Sequence, residues 1–182
     1  MSLHRKVPER IEDRLIVALD VPSIGEARAL VGKLDGLVSL FKVGLWLQFA
    51  AGFDGLLDEL IRRGKKIFLD AKMFDIGETV KQGVERAAER SVSFVTVHGD
   101  SEIIRAAVEG RGNSRLKILA ITVLTSLDQD GMCDLGYQCS VEQLIRHRVR
   151  SAIACGCDGI VAAPRDDLAQ IRQIEGADRR SG

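Results

Sequence analysis

The stretch Asp70-Ala71-Lys72-Met73-Phe74-Asp75 places two carboxylates and an amine close together, directly after the apolar run 66–69. Side chains two apart on a strand point to one side, so Asp70 and Lys72 are expected to share a face, with Asp75 in the following loop. Other apolar runs end in the same manner. Asp20 follows run 15–19, Lys42 lies in Phe41-Lys42-Val43-Gly44, and His98-Gly99-Asp100 follows run 92–97. Thr122-Val123-Leu124-Thr125-Ser126 closes run 116–123. Charges at the ends of apolar strands are costly to desolvate unless they are paired. Lys42, Asp70 and Lys72 can form an alternating +/−/+ row, with Asp75 as a further negative member. Opposite charges ~4 Å apart gain about 4 kcal/mol at an effective dielectric of 20. Such a row keeps both lysines protonated and Asp70 ionised. A lysine held charged is fit to donate a proton, whereas a Schiff base needs the neutral amine. The plainer reading, rim salt bridges that support the fold, accounts for one pair better than for four charges at one end of neighbouring strands.

These groups depend on the elements that carry them. The runs 15–19, 37–43, 66–69, 92–97, 116–123 and 159–163 are almost continuously apolar, the pattern of strands covered on both faces. Segments 24–34, 53–63, 79–90, 101–109 and 141–154 between them carry apolar residues at three- and four-residue spacing, so they read as helices. Ser23 and Ser140 are expected N-caps, with Gln143 completing a capping box, and Gly64, Gly110 and Gly156 are expected left-handed caps. Six βα units running in one direction imply a parallel sheet, either doubly wound or closed into a barrel. Periodicity leaves both open. Asp20-Val21-Pro22-Ser23 after the first strand replaces the glycine-rich turn of a dinucleotide-binding sheet. A (β/α)8 TIM barrel takes eight units in roughly 250 residues, so two units are expected beyond Gly182, roughly 40–60 residues more. The expected organisation is an N-terminal segment 1–13, whose Met1-Ser2-Leu3 reads as a leader, and a barrel domain over 14–182.

Composition removes several classes. The 26 basic and 26 acidic residues are interspersed, so no basic stripe offers a landing surface for nucleic acid. No apolar run reaches the ~18 residues that span a bilayer, and the charged start lacks a signal peptide's apolar core. Cys133, Cys139, Cys155 and Cys157 make no C-x-x-C pair, and no histidine stands at zinc-finger spacing from them. Cys155 and Cys157 are expected to be small buried residues beside a turn at Gly156. A cytoplasmic protein without a disulfide framework is expected.

The D-x-K-x-x-D motif, preceded by Leu19-Asp20-Val21-Pro22 and Phe41-Lys42-Val43-Gly44, resembles the orotidine 5'-monophosphate decarboxylase family, a ribulose-phosphate-binding type of barrel. Thr96-Val97-His98-Gly99 and the block 122–126 also match, in order, so the resemblance runs from about Arg14 to the end of the chain. It implies a carboxy-lyase of de novo pyrimidine biosynthesis that converts orotidine 5'-monophosphate to uridine 5'-monophosphate and carbon dioxide, using neither metal nor organic cofactor. By the same resemblance Lys72 protonates C6 of the pyrimidine, and Asp70 sits beside the substrate carboxylate. Lys42 belongs to the network and contacts the ribose, Asp20 binds a ribose hydroxyl, and Thr125 meets the pyrimidine edge. Asp75, Ile76 and Thr79 are implied to reach the neighbouring subunit's site in a homodimer with shared active sites. Proton transfer then belongs to lysine, and His98 is expected to be a hydrogen-bonded structural residue. His4 and His147 are given no role.

Two departures stand out. The family's commonest loop reads Asp-Ile-Pro-Asn-Thr, whereas this chain reads Asp75-Ile76-Gly77-Glu78-Thr79, and Gly77 loosens a turn that proline would stiffen. The family's phosphate site, implied on loops after the seventh and eighth strands, has no match here, since Arg165 and Arg172 belong to the sixth unit. One alternative is a magnesium-dependent 3-keto-gulonate 6-phosphate decarboxylase or hexulose-6-phosphate synthase. Those enzymes share D-x-K-x-x-D but place an acidic residue where this chain has Lys42. The other is an inactive truncated barrel serving as an interaction module.

Overall fold

The structure, a computed structural model, describes residues 10–11, 14–163, 166, 171 and 173–174. Arg165, Arg172, His4, most of segment 1–13 and the end of the expected barrel domain lie outside the described residues. The chain alternates strand and helix: β1 (Ile16–Ala18), α1 (Ile24–Lys33), β2 (Leu40–Val43), α2 (Leu45–Gln48), α3 (Phe53–Arg62) and β3 (Lys66–Met73). It continues through α4 (Gly77–Glu89), β4 (Phe94–His98), α5 (Ser101–Arg111), β5 (Lys117–Ile121), α6 (Gln129–Asp134), α7 (Val141–Cys155) and β6 (Gly159–Val161).

The strands form one sheet in the order β1-β2-β3-β4-β5-β6, every neighbouring pair parallel. A doubly wound sheet reverses its order beside the first strand, which creates a switch point. This sheet never reverses. Each new strand adds on the same side, the progression of a (β/α) barrel wall, and it leaves β1 and β6 as the edges among the described residues. All the C-terminal strand ends therefore face one way and bring their loops to one rim.

Hydrophobic burial holds the wall to its helices. Phe41, Ile67, Val95 and Ile118 on the strands are fully buried against Val31, Leu56, Leu60, Val84 and Ile104 on α1, α3, α4 and α5. Each such side chain contributes about 1.5–3 kcal/mol. A second cluster joins Val123, Met132, Leu144, Ile145 and Val149 beneath the loop after β5. Ser23 accepts from the Glu26 N–H, and Ser140 with Gln143 makes the full capping box. Gly64 and Gly156 take positive φ, as expected of caps.

Gly110 does not. It is buried inside α5, which runs on to Arg111 and ends at Gly112 with φ 53°. A Cβ at Gly110 would run into the Lys81 carbonyl of α4. Glycine stands there because two helices approach closely, and the cap lies two residues later. The short helices α2 and α6 were not expected, since neither is long enough to show a helical period. Cys157 is buried as expected, while Cys155 is half-buried, and all four cysteines are free. Among the described residues, no helix is long and apolar enough to cross a membrane.

Candidate active site

The rim site begins with an irregularity in β3. Its ladder to β4 pairs Phe68 with Phe94 and Leu69 with Val95, then resumes at Met73 and Val97. Asp70, Ala71 and Lys72 thus lie opposite Thr96 alone. The extra residues bulge, and Lys72 takes a left-handed φ of 48°. That conformation costs a non-glycine residue about 1–2 kcal/mol. It aims the side chain back along the strand, and Lys72 Nζ donates to Asp70 Oδ2 at 2.8 Å. The sequence reading expected these two groups on one face by simple alternation; they meet across a bulge instead.

Lys42, from the middle of β2, donates to the same Asp70 Oδ2 at 3.3 Å and stands 3.6 Å from Asp20 Oδ2. The row therefore reads Asp20, Lys42, Asp70, Lys72, with signs alternating over the ends of three adjacent strands. Gly44 lets Asp20 in, because its Cβ position is only 3.1 Å from Asp20 Oδ1. Exposure is graded along the row. The Asp70 side chain is 11% exposed, Lys42 25%, Lys72 43% and Asp20 52%. The anion at the centre is buried, and the cation beside it opens to solvent where a substrate can approach.

Burial alone would push the Asp70 carboxyl upward. Hydrogen bonds from Lys72 and Thr96, and the charges of Lys72 and Lys42, overcome this and hold it below its ordinary value. Asp70 is thus a fixed anion, with the Lys72 side chain paired to it at 2.8 Å. That arrangement can deliver a proton to a carbanion and stabilise charge as it develops.

The other expected residues do not join the row within this chain. Asp75 is exposed in the loop after β3 and accepts from the N–H of Ile76 at 2.7 Å. Ile76 is 73% exposed at the N-cap of α4, and Thr79 is exposed in its first turn. Thr125 is exposed in the loop between β5 and α6. An open groove along α4 is lined by Ile76, Glu78, Thr79, Gln82, Gly83 and Arg86.

His98 packs its ring against Phe74, centroids 4.7 Å apart. Burial, reinforced by the nearby Arg148 charge, holds its pKa below the usual value, so the ring is neutral near pH 7. His147 is exposed on α7. Among the described residues no group of three or more His, Cys, Asp or Glu side chains is arranged to hold a metal ion.

Two residues were given no role in the sequence reading. Thr96, fully buried in β4, accepts from the Lys72 N–H at 2.9 Å and donates to Asp70 Oδ1 at 2.9 Å. Arg148, buried on α7, donates to the Thr122 carbonyl at 2.7 Å, with Tyr137 Oη at 3.3 Å and Asp100 Oδ2 at 3.4 Å. It pins the α7 helix to the ends of β4 and β5. Thr96 could have been flagged as a polar residue inside an apolar run; Arg148 on an amphipathic helix gave no signal.

Comparison with known proteins bears on this geometry. The profile of the orotidine 5'-phosphate decarboxylase / HUMPS family matches residues 13–180. An orotidine 5'-phosphate decarboxylase of Rhodopseudomonas palustris (strain BisB5) is 47% identical over 166 residues, which cover 91% of this chain and 70% of the relative. One from Nitrobacter winogradskyi is 50% identical over 161 residues, covering 88% of this chain and 66% of the relative. The crystal structure of orotidine 5'-phosphate decarboxylase from Lactobacillus acidophilus superposes with a TM-score of 0.82 at 31% identity, over 90% of this chain and 77% of that one. Strand order, the charge row at the rim and these similarities agree: the chain belongs to the orotidine 5'-phosphate decarboxylase / HUMPS family.

Proposed function

We propose that the chain is an orotidine 5'-phosphate decarboxylase, a carboxy-lyase that releases carbon dioxide from C6 of the pyrimidine. One observation carries the reading: Asp70 Oδ2 receives Lys72 at 2.8 Å and Lys42 at 3.3 Å, so a protonated lysine stands at a preformed, half-open rim. The C6–carboxylate bond breaks with its electron pair left on C6. Carbon dioxide departs, and the Lys72 ammonium gives its proton to C6. Asp70 lies beside the leaving carboxylate and keeps Lys72 charged until the transfer. Lys42 and Asp20 hold the ribose, and Thr125 meets the pyrimidine edge.

Lys42 also favours this reading over a sugar-phosphate enzyme of the same family, because an ammonium there completes a row of alternating charge. Asp75, Ile76 and Thr79 act across a homodimer interface. Their exposure, together with exposed Trp46 and Phe49, 63% and 83% accessible, supports a subunit contact on this side. The four free thiols support a reducing compartment, the cytoplasm.

The test is Lys72→Ala, assayed by loss of the orotidine 5'-phosphate chromophore. Turnover is expected to fall by at least about 10²–10⁴-fold while the fold persists. A variant that keeps near-normal kcat overturns the assignment.

A further inference from the structure

We infer that Thr96 is a positioning residue for the proton-transfer pair, its buried hydroxyl clamping Asp70 and the bulge at Lys72 into one geometry. The inference rests on the decarboxylase reading for its link to turnover, and on the two hydrogen bonds of Thr96 for the clamp itself. A threonine hydroxyl has one proton to give. Its oxygen accepts from the Lys72 backbone N–H at 2.9 Å, so the proton is free to point at Asp70 Oδ1, also at 2.9 Å. No buried side-chain nitrogen or oxygen among the described residues lacks a partner, and here one hydroxyl satisfies two groups at once.

The consequence is a division of labour on Asp70. Oδ1 is tied to β4 through Thr96, and Oδ2 is left for the two ammonium groups. A carboxylate held only by flexible lysines could turn away when an anionic substrate arrives. Asp70, anchored at its other oxygen, cannot turn without breaking the Thr96 bond. The same hydroxyl replaces a ladder carbonyl as the acceptor for Lys72 N–H, at the residue whose left-handed backbone aims the amine. Fixed charges set before the substrate binds are the kind of contribution that raises kcat rather than affinity.

Thr96→Val keeps the shape and removes the hydroxyl, and Thr96→Ser keeps the hydroxyl. Two measurements are made on the whole chain: the ¹³C titration of the Asp70 carboxyl, and steady-state decarboxylation of orotidine 5'-phosphate. In Thr96→Val the Asp70 titration moves upward, and kcat falls about tenfold with KM changed less than about threefold. Thr96→Ser returns both toward the original values. If valine prevents folding, Thr96→Ser and Thr96→Ala, which both lose the methyl group and differ in the hydroxyl, carry the same comparison. An unmoved Asp70 titration overturns the inference, and so does an unchanged kcat in an active enzyme. A shifted titration with serine rescue, in a chain that turns over no orotidine 5'-phosphate, leaves the clamp standing and removes the decarboxylase reading.

Discussion

At the residue scale, the role proposed for Lys72 and the conformation of its backbone pull against each other. Its φ of 48° suits glycine better than lysine. Lys72→Gly and Lys72→Ala both lose the amine, so both are expected to be inactive, yet glycine relieves the backbone. Chemical denaturation should find Lys72→Gly more stable than Lys72→Ala by about 1 kcal/mol; equal stabilities would show that the conformation carries no strain. His98 supplies a pH dependence whose sign follows from its surroundings. Its folded pKa lies below the ordinary 6.5, so as pH falls through that value the unfolded chain takes up the proton first. Stability contributed by the neutral ring is present above about pH 6.5 and declines toward the folded value. Unfolding midpoints compared between about pH 7.5 and 5.5 should fall more steeply than those of His98→Gln. Asp70 behaves as a depressed carboxylate. Its stabilisation is present above the ordinary 3.8 and is lost as pH drops through its lower folded value.

At the element scale, the site depends on how closely helices pack behind the strands. The α4 helix follows the Asp75 loop, and its neighbour α5 follows β4, which carries Thr96 and His98. These helices meet at Gly110, where the Lys81 carbonyl leaves no space for a methyl group. Backbone cannot yield as a side-chain tip can. Gly110→Ala should therefore destabilise by about 2 kcal/mol or more in urea unfolding, despite alanine's better helix propensity. A neutral or stabilising result would mean that α4 and α5 can slide apart freely. Arg148 plays a related part on the other flank, tying α7 to the carbonyl of Thr122 at the start of the loop that presents Thr125.

At the scale of the whole molecule, the split between a row held inside one chain and a loop facing outward has a measurable outcome. Asp20, Lys42, Asp70 and Lys72 form a continuous set within one polypeptide, while the Asp75 carboxylate, among the described residues, accepts from its own turn. If Asp75 acts in a partner's site, mixing Lys72→Ala with Asp75→Asn and allowing subunits to exchange restores function. In each mixed dimer one of the two sites has both natural groups, so random pairing recovers about a quarter of the original activity. No recovery after demonstrated exchange would place Asp75 in its own subunit's site.

The alternation of six apolar runs with amphipathic segments was legible in the sequence, and so were the members of the charge row. Both are local properties: a period of about 3.6 or a charge at the end of an apolar run is visible within a few residues. Asp70 and Lys72 were paired on spacing alone, and they do meet. What the tertiary structure decided were relations between distant segments. Periodicity cannot tell a barrel wall from a doubly wound sheet, because both bury their strands on two faces; the unreversed strand order did. At the bulge the Lys72 N–H is received by a hydroxyl 24 residues away, and Arg148 meets Asp100 across 48 residues. Gly110 looked like a helix end because glycine serves both as a cap and where backbones touch, and only the packing of α5 on α4 separates the two uses. Side-chain type and spacing name the groups that can do chemistry, while their orientation is set by hydrogen bonds and close packing between segments that chain order keeps apart.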